Sequence, residues 1–255
     1  PHCAANETRV DEYVRHFKKD CWALPKQVRY VVTDAYYTKT LITEAILEQG
    51  LHQIGKLRHD ANLRYLYQGP QKAKGRPRQY DGKFKLGETA RLSFVAHQEG
   101  VDIYTAVVNC VHLKQAIRLV YVEKKLAQGT KRALLFSTDT SLDALSLYRY
   151  YQARFQIEFL FRDAKQFTGL GDCQARSEQA LYNHFNASFT ALNLLKWQDR
   201  QMSPQRTPIS IASWKRRCFN VLFMERIFSN SAFDLSFIKS TPAYHDLCNF
   251  GEIKY

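Results

Sequence analysis

The chain has 255 residues, 45% of them apolar and 13% aromatic, so it is long enough to bury a hydrophobic core and is expected to fold. Lysine and arginine number 37 against 24 aspartates and glutamates, and the net charge of +13 favours nucleic acid as a partner, although such an excess can also serve solubility alone. The dispersed cysteines exclude a zinc-finger spacing and a disulfide framework, and the absence of a signal-peptide pattern and of a membrane-length apolar run favours a cytoplasmic setting without a membrane partner.

The first part of the chain predicts a βαβ unit preceded by an amphipathic helix. In such α/β folds the functional residues lie at the ends of strands, so Asp34, directly after the first strand, is a candidate. It could also be an ordinary helix N-cap or turn residue. The predicted elements are a helix over Val10 to Trp22, a strand over Val28 to Thr33, a helix over Lys39 to Gln49 that ends at Gly50, and a strand over Leu51 to Leu57.

A basic loop is predicted from Tyr67 to Lys85, where cations alternate with glycines and prolines. Such a loop is either a solvated connection or a segment that follows the phosphates of a nucleic acid. The absence of any glutamate among its cations favours the second interpretation. These cations are Lys72, Lys74, Arg76, Arg78, Lys83 and Lys85.

Four β-rich runs follow the loop, and helical patterns dominate after Ser141. The first three runs predict a small antiparallel sheet inserted into the α/β core, and the fourth predicts a return to that core. The runs are Arg91 to His97, Asp102 to Asn109, Ala116 to Glu123 and Arg132 to Phe136.

The segment around Glu158 carries the strongest chemical pattern. At roughly 100° per residue, Tyr151, Arg154, Glu158 and Lys165 fall within about 60° of one another on one helix face. Taken alone, Arg154 and Glu158 would be an ordinary i,i+4 surface pair. The neighbouring face is apolar and is expected to dock against the sheet, so the polar row would border the core. That apolar stripe consists of Ala153, Ile157, Leu160, Phe161 and Ala164.

The spacing Tyr-x2-Arg-x3-Glu-x6-Lys resembles the signature of DDE transposases of the insertion-sequence-4-like family. The segment Tyr30 to Tyr37 likewise resembles the strand that carries the second catalytic aspartate of that family, here Asp34. The long separation from Asp34 to Glu158 matches a subgroup with an inserted β domain. Phe155 departs from relatives, which commonly have tryptophan there, and predicts changed packing rather than lost function. The resemblance covers most of residues 28 to 200, with further matches at Lys56 to Arg64, Gly75 to Tyr80 and Gly169 to Arg176.

The resemblance implies an α/β fold: an N-terminally truncated RNase H-like core with an inserted antiparallel β subdomain and a helical C-terminal region. Asp11 and Asp20 are too close to Asp34 to occupy the first strand of that core. The first catalytic aspartate is therefore expected upstream of Pro1, and the chain is expected to be inactive alone. The implied divisions are a partial core over 1–85, the β insertion over 86–130, a return to the core with the signature helix over 131–200, and a C-terminal helical region over 201–255.

The same resemblance assigns Asp34 and Glu158 as catalytic residues and as ligands of Mg²⁺ or Mn²⁺, metals that suit carboxylate oxygens. Arg154 and Lys165 would hold DNA phosphates, the arginine by a bidentate fork and the lysine as a point charge. Tyr151 would donate a hydrogen bond to the same backbone. Further candidate DNA contacts are Arg162, Arg76 and Arg78.

The implied function is that of a DNA transposase, in which water frees a 3′-hydroxyl at the element's end and that hydroxyl attacks target DNA. Its partner is double-stranded DNA, both transposon ends and target, and it is expected to act as a homodimer at a bacterial-type nucleoid. Two alternatives stay open: a transposase-derived DNA-binding protein without catalysis, and an RNase H-like nuclease acting on RNA or hybrids. A purely structural helical protein would leave the cationic row unexplained.

Overall fold

A computed structural model describes residues 7–202, 210–229 and 235–252 of the chain. The chain divides into two compact units, Pro1–Phe155 and Gln156–Tyr255. The first unit is built on a mixed β-sheet and the second is helical. This α/β architecture is compatible with the RNase H-like core that the sequence predicts.

The first unit contains one sheet and three α-helices within residues 7–155. Its elements are α1 (Arg9–Asp20), β1 (Tyr30–Val32), α2 (Thr40–Glu48), β2 (His52–Leu57), β3 (Leu63–Leu66), β4 (Tyr80–Lys83), β5 (Ser93–Gln98), β6 (Val101–Cys110), β7 (Gln115–Leu126), β8 (Gly129–Ser137) and α3 (Ala144–Ala153). The strand order is β1-β2-β8-β7-β6-β3-β4, and β5 pairs with β6. Among the described strands, β1 and β2 are parallel and the other pairs are antiparallel.

The βαβ unit predicted from the sequence is present as β1, α2 and β2. The two strands pair in parallel, with Val32 opposite Ile54. Gly50 follows α2 with a φ of +70°, a left-handed conformation that glycine adopts without a steric penalty. The backbone N–H of Thr33 donates to the carbonyl of Ile54 at 2.8 Å, so Asp34 comes immediately after the last ladder bond, at the C-terminal end of β1.

The four predicted β-rich runs are all strands, but they do not form a sheet of their own. β8 pairs with β2, where Ser137 lies opposite Ile54, and with β7 on its other side. The expected insertion and the core strands therefore share one sheet. Alternation along a strand predicts which residues share a face, and it does not predict the neighbouring strand. The proposed boundaries at residues 86 and 130 stay predictions.

The predicted basic loop is shorter than expected, because its last part contains β4. Leu66 of β3 pairs with Tyr80 of β4, and the register shifts beside this pair. Asp81 and Gly82 are unfavourable in strands, and Gly82 has a φ of +91°, so the alternating pattern of a strand is missing here. The irregular loop itself spans residues 67–79.

Two apolar clusters cover the two faces of the sheet. Leu119 belongs to one cluster and Val120 to the other, and both are fully buried, as the alternation of a strand requires. Leu147 of α3 is buried in the Val120 cluster, and Tyr151, one turn further along α3, packs against the same cluster. These contacts fix α3 on that face of the sheet.

The second unit is described over residues 156–202, 210–229 and 235–252. Leu160 and Ala164 pack in a cluster with Leu192 and Ile211. The parts of the predicted C-terminal helical region at 203–209, 230–234 and 253–255 lie outside the described residues. The helices are α4 (Gln156–Phe167), α5 (Glu178–Met202), α6 (Ile211–Ser229), α7 (Leu235–Lys239) and α8 (Pro242–Cys248).

The prediction of one continuous signature helix is wrong. α3 ends at Ala153 and α4 begins at Gln156, because the N–H groups of Arg154 and Phe155 bond to carbonyls three residues back, at 3.2 and 3.3 Å, rather than four. No glycine or proline marks this break, and side-chain periodicity does not reveal which carbonyl accepts each bond. Tyr151 and Arg154 therefore belong to the first unit, and Glu158 and Lys165 to the second.

Candidate active site

One carboxylate oxygen of Asp34 has a structural role, and the other is available to bind a ligand. Its Oδ1 accepts the backbone N–H of Tyr36 at 2.8 Å, so it caps the short 3-10 helix Ala35–Tyr37. The alternative considered from the sequence, an N-cap, is thus confirmed. The cap uses one carboxylate oxygen, and no hydrogen bond from the described residues reaches Oδ2. The side chain is half-buried, so capping does not prevent it from binding a ligand.

Gln53 of β2 fixes the turn that carries Asp34, and sequence reasoning missed it. Its side chain is fully buried, and its Nε2 donates to Thr33 Oγ1 and to the carbonyl of Tyr37, both at 3.0 Å. Its Oε1 accepts from Thr43 Oγ1 of α2 at 2.6 Å. One amide therefore holds both sides of the Asp34 turn and the following helix. The strand also contains His52 and Lys56, so its sequence alone does not single out Gln53.

Tyrosine rings surround the Asp34 turn. Tyr37 packs against Tyr36 at 5.3 Å and against Tyr13 of α1 at 5.5 Å between ring centroids. Lys39 Nζ lies 4.5 Å from the centre of the Tyr36 ring, in cation–π geometry. Burial raises the pKa of Tyr37, and the charges of Tyr13 and Asp34 add to that rise. The Asp34 turn is therefore lined by aromatic side chains, and the neutral form of the Tyr37 hydroxyl is favoured there.

Tyr151 and Arg154 lie in the same neighbourhood of the first unit as Asp34. Burial raises the pKa of Tyr151, the charge and hydrogen bond of Arg154 oppose this, and the negative charge of Asp34 raises it again. The Arg154 guanidinium lies over the ring of Phe155, 4.9 Å from its centre, and 6.0 Å from that of Tyr151. The structure thus brings together three of the residues that the sequence singled out, although β1 and the end of α3 are distant in the chain.

The polar residues of α4 share one face, but this face does not border the core of the second unit. Steps of four and seven residues place Glu158, Arg162 and Lys165 on one side of the helix, and all three are exposed. The opposite side, with Leu160 and Ala164, packs against residues of α5 and α6. Within the second unit the polar row therefore lies opposite the packed side of α4, and its expected position beside the sheet stays a prediction.

Only part of the predicted apolar stripe is packed in the second unit. Leu160 and Ala164 are packed, whereas Ile157 and Phe161 are 51% and 44% exposed and Ala153 is exposed as well. Apolar residues occupy more than one side of α4, so the sequence pattern alone could not select the buried side.

The remaining predicted DNA contacts differ in how they are engaged. Arg162 pairs with its neighbour Asp163 at 3.0 Å, an exposed ion pair of small energetic value. Arg78 donates to Asp81 Oδ1 at 2.6 Å and to the carbonyl of Tyr80 at 3.1 Å. Arg76 is exposed, and no contact of its side chain is found in the part of the loop that the structure describes.

A sequence model of the family described as transposase DDE domain matches residues 7–194, three quarters of the chain. The chain belongs to the transposase DDE domain family. The matched range contains all the predicted site residues, from Asp34 to Lys165, and it covers the whole described part of the first unit together with α4 and most of α5. No curated protein matches the chain.

A transposase DDE domain indicates a transposase function and an enzyme of the polynucleotidyl-transferase or nuclease kind, and it implies binding to DNA. Within the described ranges, no helix of this DDE domain protein is long and apolar enough to cross a membrane. The same ranges contain no group of three or more His, Cys, Asp or Glu side chains that could hold a metal ion.

Proposed function

We propose that this protein is a DNA transposase of the insertion-sequence-4-like group, which cleaves DNA at the ends of its element and joins them to target DNA. The observation that carries the proposal is the electrostatic interaction of Tyr151 with both Asp34 and Arg154 in the first unit. The family match supports it, since it spans both proposed catalytic residues, Asp34 and Glu158. The Tyr-Arg-Glu-Lys spacing supports the assignment to this group.

Asp34 and Glu158 are proposed to hold the divalent metal of this reaction, Mg²⁺ or Mn²⁺. The donor set fits, because both ions take oxygen ligands and Mg²⁺ keeps several waters, so that one or two carboxylates and a substrate phosphate suffice. Asp34 retains an oxygen outside its cap, and Glu158 lies exposed in the first turn of α4. When bound, the metal supplies activation of the attacking oxygen and stabilisation of the leaving one.

Tyr151 and Arg154 are proposed to position the scissile phosphate beside Asp34. A guanidinium can hold two phosphate oxygens at once, and its packing over the Phe155 ring restricts its orientation. Because the pKa of Tyr151 is raised, its hydroxyl stays protonated and can donate a hydrogen bond to a phosphate oxygen at neutral pH. Water then attacks phosphorus, the 3′-oxygen leaves as a hydroxyl, and that hydroxyl is the nucleophile of strand transfer.

Lys165 and Arg162 are proposed to contact the DNA backbone from α4, and Arg76 from the basic loop. All three are exposed, so each can reach a phosphate without losing a buried contact. Since transposition pairs two ends, we propose a homodimer in the DNA-bound state, located at the bacterial nucleoid. Light scattering of the complex with end-containing duplex would show two chains per pair of ends.

The proposal is tested with protein produced from the complete open reading frame and a plasmid that carries the element's ends. Nicking that requires Mg²⁺ or Mn²⁺ is expected, with a loss of at least 100-fold in Asp34→Asn and Glu158→Gln and unchanged DNA binding. Matched controls are Asp60→Asn, at an exposed aspartate that pairs with Arg58, and Glu178→Gln, in the first turn of α5 as Glu158 is in that of α4. DNA binding without metal-dependent nicking would instead support the non-catalytic DNA-binding protein.

A further inference from the structure

The basic loop between β3 and β4 is closed by two sets of hydrogen bonds. At its base, the N–H of Tyr67 donates to the carbonyl of Gln79 at 2.9 Å. Further out, the Gln71 side chain forms two bonds with the backbone of Arg78: its Nε2 donates to the carbonyl at 2.8 Å, and its Oε1 accepts the N–H at 2.8 Å. We call this pair of bonds the Gln71 clamp. It reproduces with a side-chain amide the two-bond pairing of adjacent antiparallel strands.

Arg78 is exposed, but its side chain is held by several contacts and anchors the clamp. Its guanidinium lies 4.6 Å from the centre of the Tyr67 ring and bonds to Asp81 and to the carbonyl of Tyr80. Asp81 also accepts from Arg91 at 2.7 Å. The positive charge of Arg78 is thus shared with a carboxylate, and its side chain holds the base of the loop.

The residues beyond the clamp form a cationic tip. Lys72, Lys74 and Arg76 are separated by the small or rigid residues Ala73, Gly75 and Pro77, and every residue from 71 to 79 is exposed. Gly75 has a φ of +102°, so the turn at the tip depends on glycine. Within the described residues, no ion pair is found for the three tip cations.

We propose that Gln71 and Arg78 are positioning residues that hold Lys72, Lys74 and Arg76 ready to bind consecutive phosphates of a DNA duplex. The choice of DNA as the partner rests on the proposed function and on the net charge of +13. Arg78 itself is then not a phosphate contact; it supports the three cations that are. A clamped tip loses less conformational freedom on binding than an open loop of the same charge, so the clamp raises affinity without touching DNA.

The charge of the tip is tested by salt dependence. In a duplex titration over a range of salt concentrations, the triple substitution of Lys72, Lys74 and Arg76 by alanine should reduce the slope of log K against log salt by about 2 to 3, since each neutralised phosphate contributes about 0.9. An unchanged slope in a folded triple variant would overturn the assignment of the tip as a phosphate-binding site.

The clamp is tested by Gln71→Met, which keeps length and removes both bonds. Gln68→Met is the matched control, because Gln68 is exposed in the same loop and no hydrogen bond of its side chain is found in the described structure. Gln71→Met should bind duplex roughly 3- to 10-fold more weakly with the slope nearly unchanged, because the three charges remain. Wild-type affinity in Gln71→Met, or an equal loss in Gln68→Met, would overturn the positioning role.

Limited trypsin digestion measures how well the clamp holds the tip in place. Cleavage after Lys72 and Lys74 should be faster in Gln71→Met than in wild type and Gln68→Met, while the melting temperature stays the same, and bound duplex should suppress it. Equal cleavage rates in the three proteins would contradict the clamp. The binding and digestion results do not depend on nicking. If Asp34→Asn nicks normally, the catalytic proposal fails, but the clamp can still be tested as long as wild-type protein binds duplex.

Discussion

Tyr151 lies near enough to Asp34 that its hydroxyl pKa, raised mainly by burial, is raised further by the Asp34 carboxylate, although Asp34 follows β1 and Tyr151 lies near the end of α3. The fold of the first unit creates this relationship, because α3 packs through Leu147 on the sheet that contains β1. It connects the aspartate found from strand pattern with the tyrosine found from motif spacing.

Substitutions of Asp34 and Arg154 should move the pKa of Tyr151 in opposite directions. Asp34→Asn removes a raising charge and should lower it, whereas Arg154→Gln removes a lowering charge and hydrogen bond and should raise it further. Titration of the Tyr151 Cζ resonance by ¹³C NMR measures both shifts. Asp60→Asn is the control that should leave the resonance unchanged, and shifts of the same sign in the two test variants would contradict the arrangement.

The raised pKa of Tyr151 also predicts how stability depends on pH. The neutral phenol is favoured in the folded state, so its contribution to stability is fully present below the ordinary tyrosine pKa of 10.0 and is lost as pH rises through the higher folded-state pKa. Tyr151→Phe should therefore flatten the fall of the unfolding free energy above pH 10, measured by urea denaturation. If the unfolding free energy of Tyr151→Phe falls above pH 10 as steeply as that of wild type, the prediction is contradicted.

Asp139 provides a second pH-dependent feature, at the acid side. Burial raises its pKa, but hydrogen bonds from Ser141 and from the Tyr30 hydroxyl, the latter at 2.8 Å, outweigh this and lower the pKa to about 2. The ionised form is favoured in the folded state, so the stabilisation by these hydrogen bonds is present above 3.8, the pKa of an unfolded-state aspartate. It is lost as pH falls towards about 2. Tyr30→Phe should destabilise the protein by about 1 kcal/mol at neutral pH and by less at pH 2, as denaturation at both pH values would show.

Gln53→Leu should destabilise the first unit by about 2 to 4 kcal/mol. The substitution keeps the volume but leaves Thr33, Thr43 and the carbonyl of Tyr37 without their shared partner in a buried place. Thermal and urea unfolding measure the loss, and Gln68→Leu on the exposed loop is the matched control. Because the same amide holds the Asp34 turn, Gln53→Leu should also weaken Mn²⁺ binding, and unimpaired Mn²⁺ binding would contradict its positioning role.

Gly55 is required by close packing between β2 and its neighbours. A Cβ at this position would lie 2.8 Å from Cε1 of the fully buried Phe136 ring and 3.2 Å from Thr33 Oγ1. Gly55→Ala should therefore cost about 1 to 3 kcal/mol, whereas Gly171→Ala, with no atom within 4 Å, should cost less than about 0.5 kcal/mol. In the Phe136→Leu background the cost of Gly55→Ala should shrink, and strict additivity would contradict the steric explanation.

Local patterns were sufficient to predict the βαβ unit and the strand-end position of Asp34, because both follow from residues adjacent in the chain. The position of Gln53 could not be predicted, since its partners come from the Asp34 turn and from α2, which only the fold brings to its side chain. The break between Ala153 and Gln156 was missed because it is a change of hydrogen-bond acceptor without a glycine or proline. The buried side of α4 was predicted only in part, because Phe161 and Leu160 are both apolar and only packing distinguishes them.

Mapping of backbone cleavage by bound Fe²⁺, which generates hydroxyl radicals in the presence of ascorbate and peroxide, tests whether Asp34 and Glu158 bind one metal centre. Cuts are expected beside both residue 34 and residue 158, and they should be suppressed together by excess Mg²⁺ and lost together in Asp34→Asn. Cuts at one position alone, or cuts at both that persist in Asp34→Asn and Glu158→Gln, would contradict a shared metal centre.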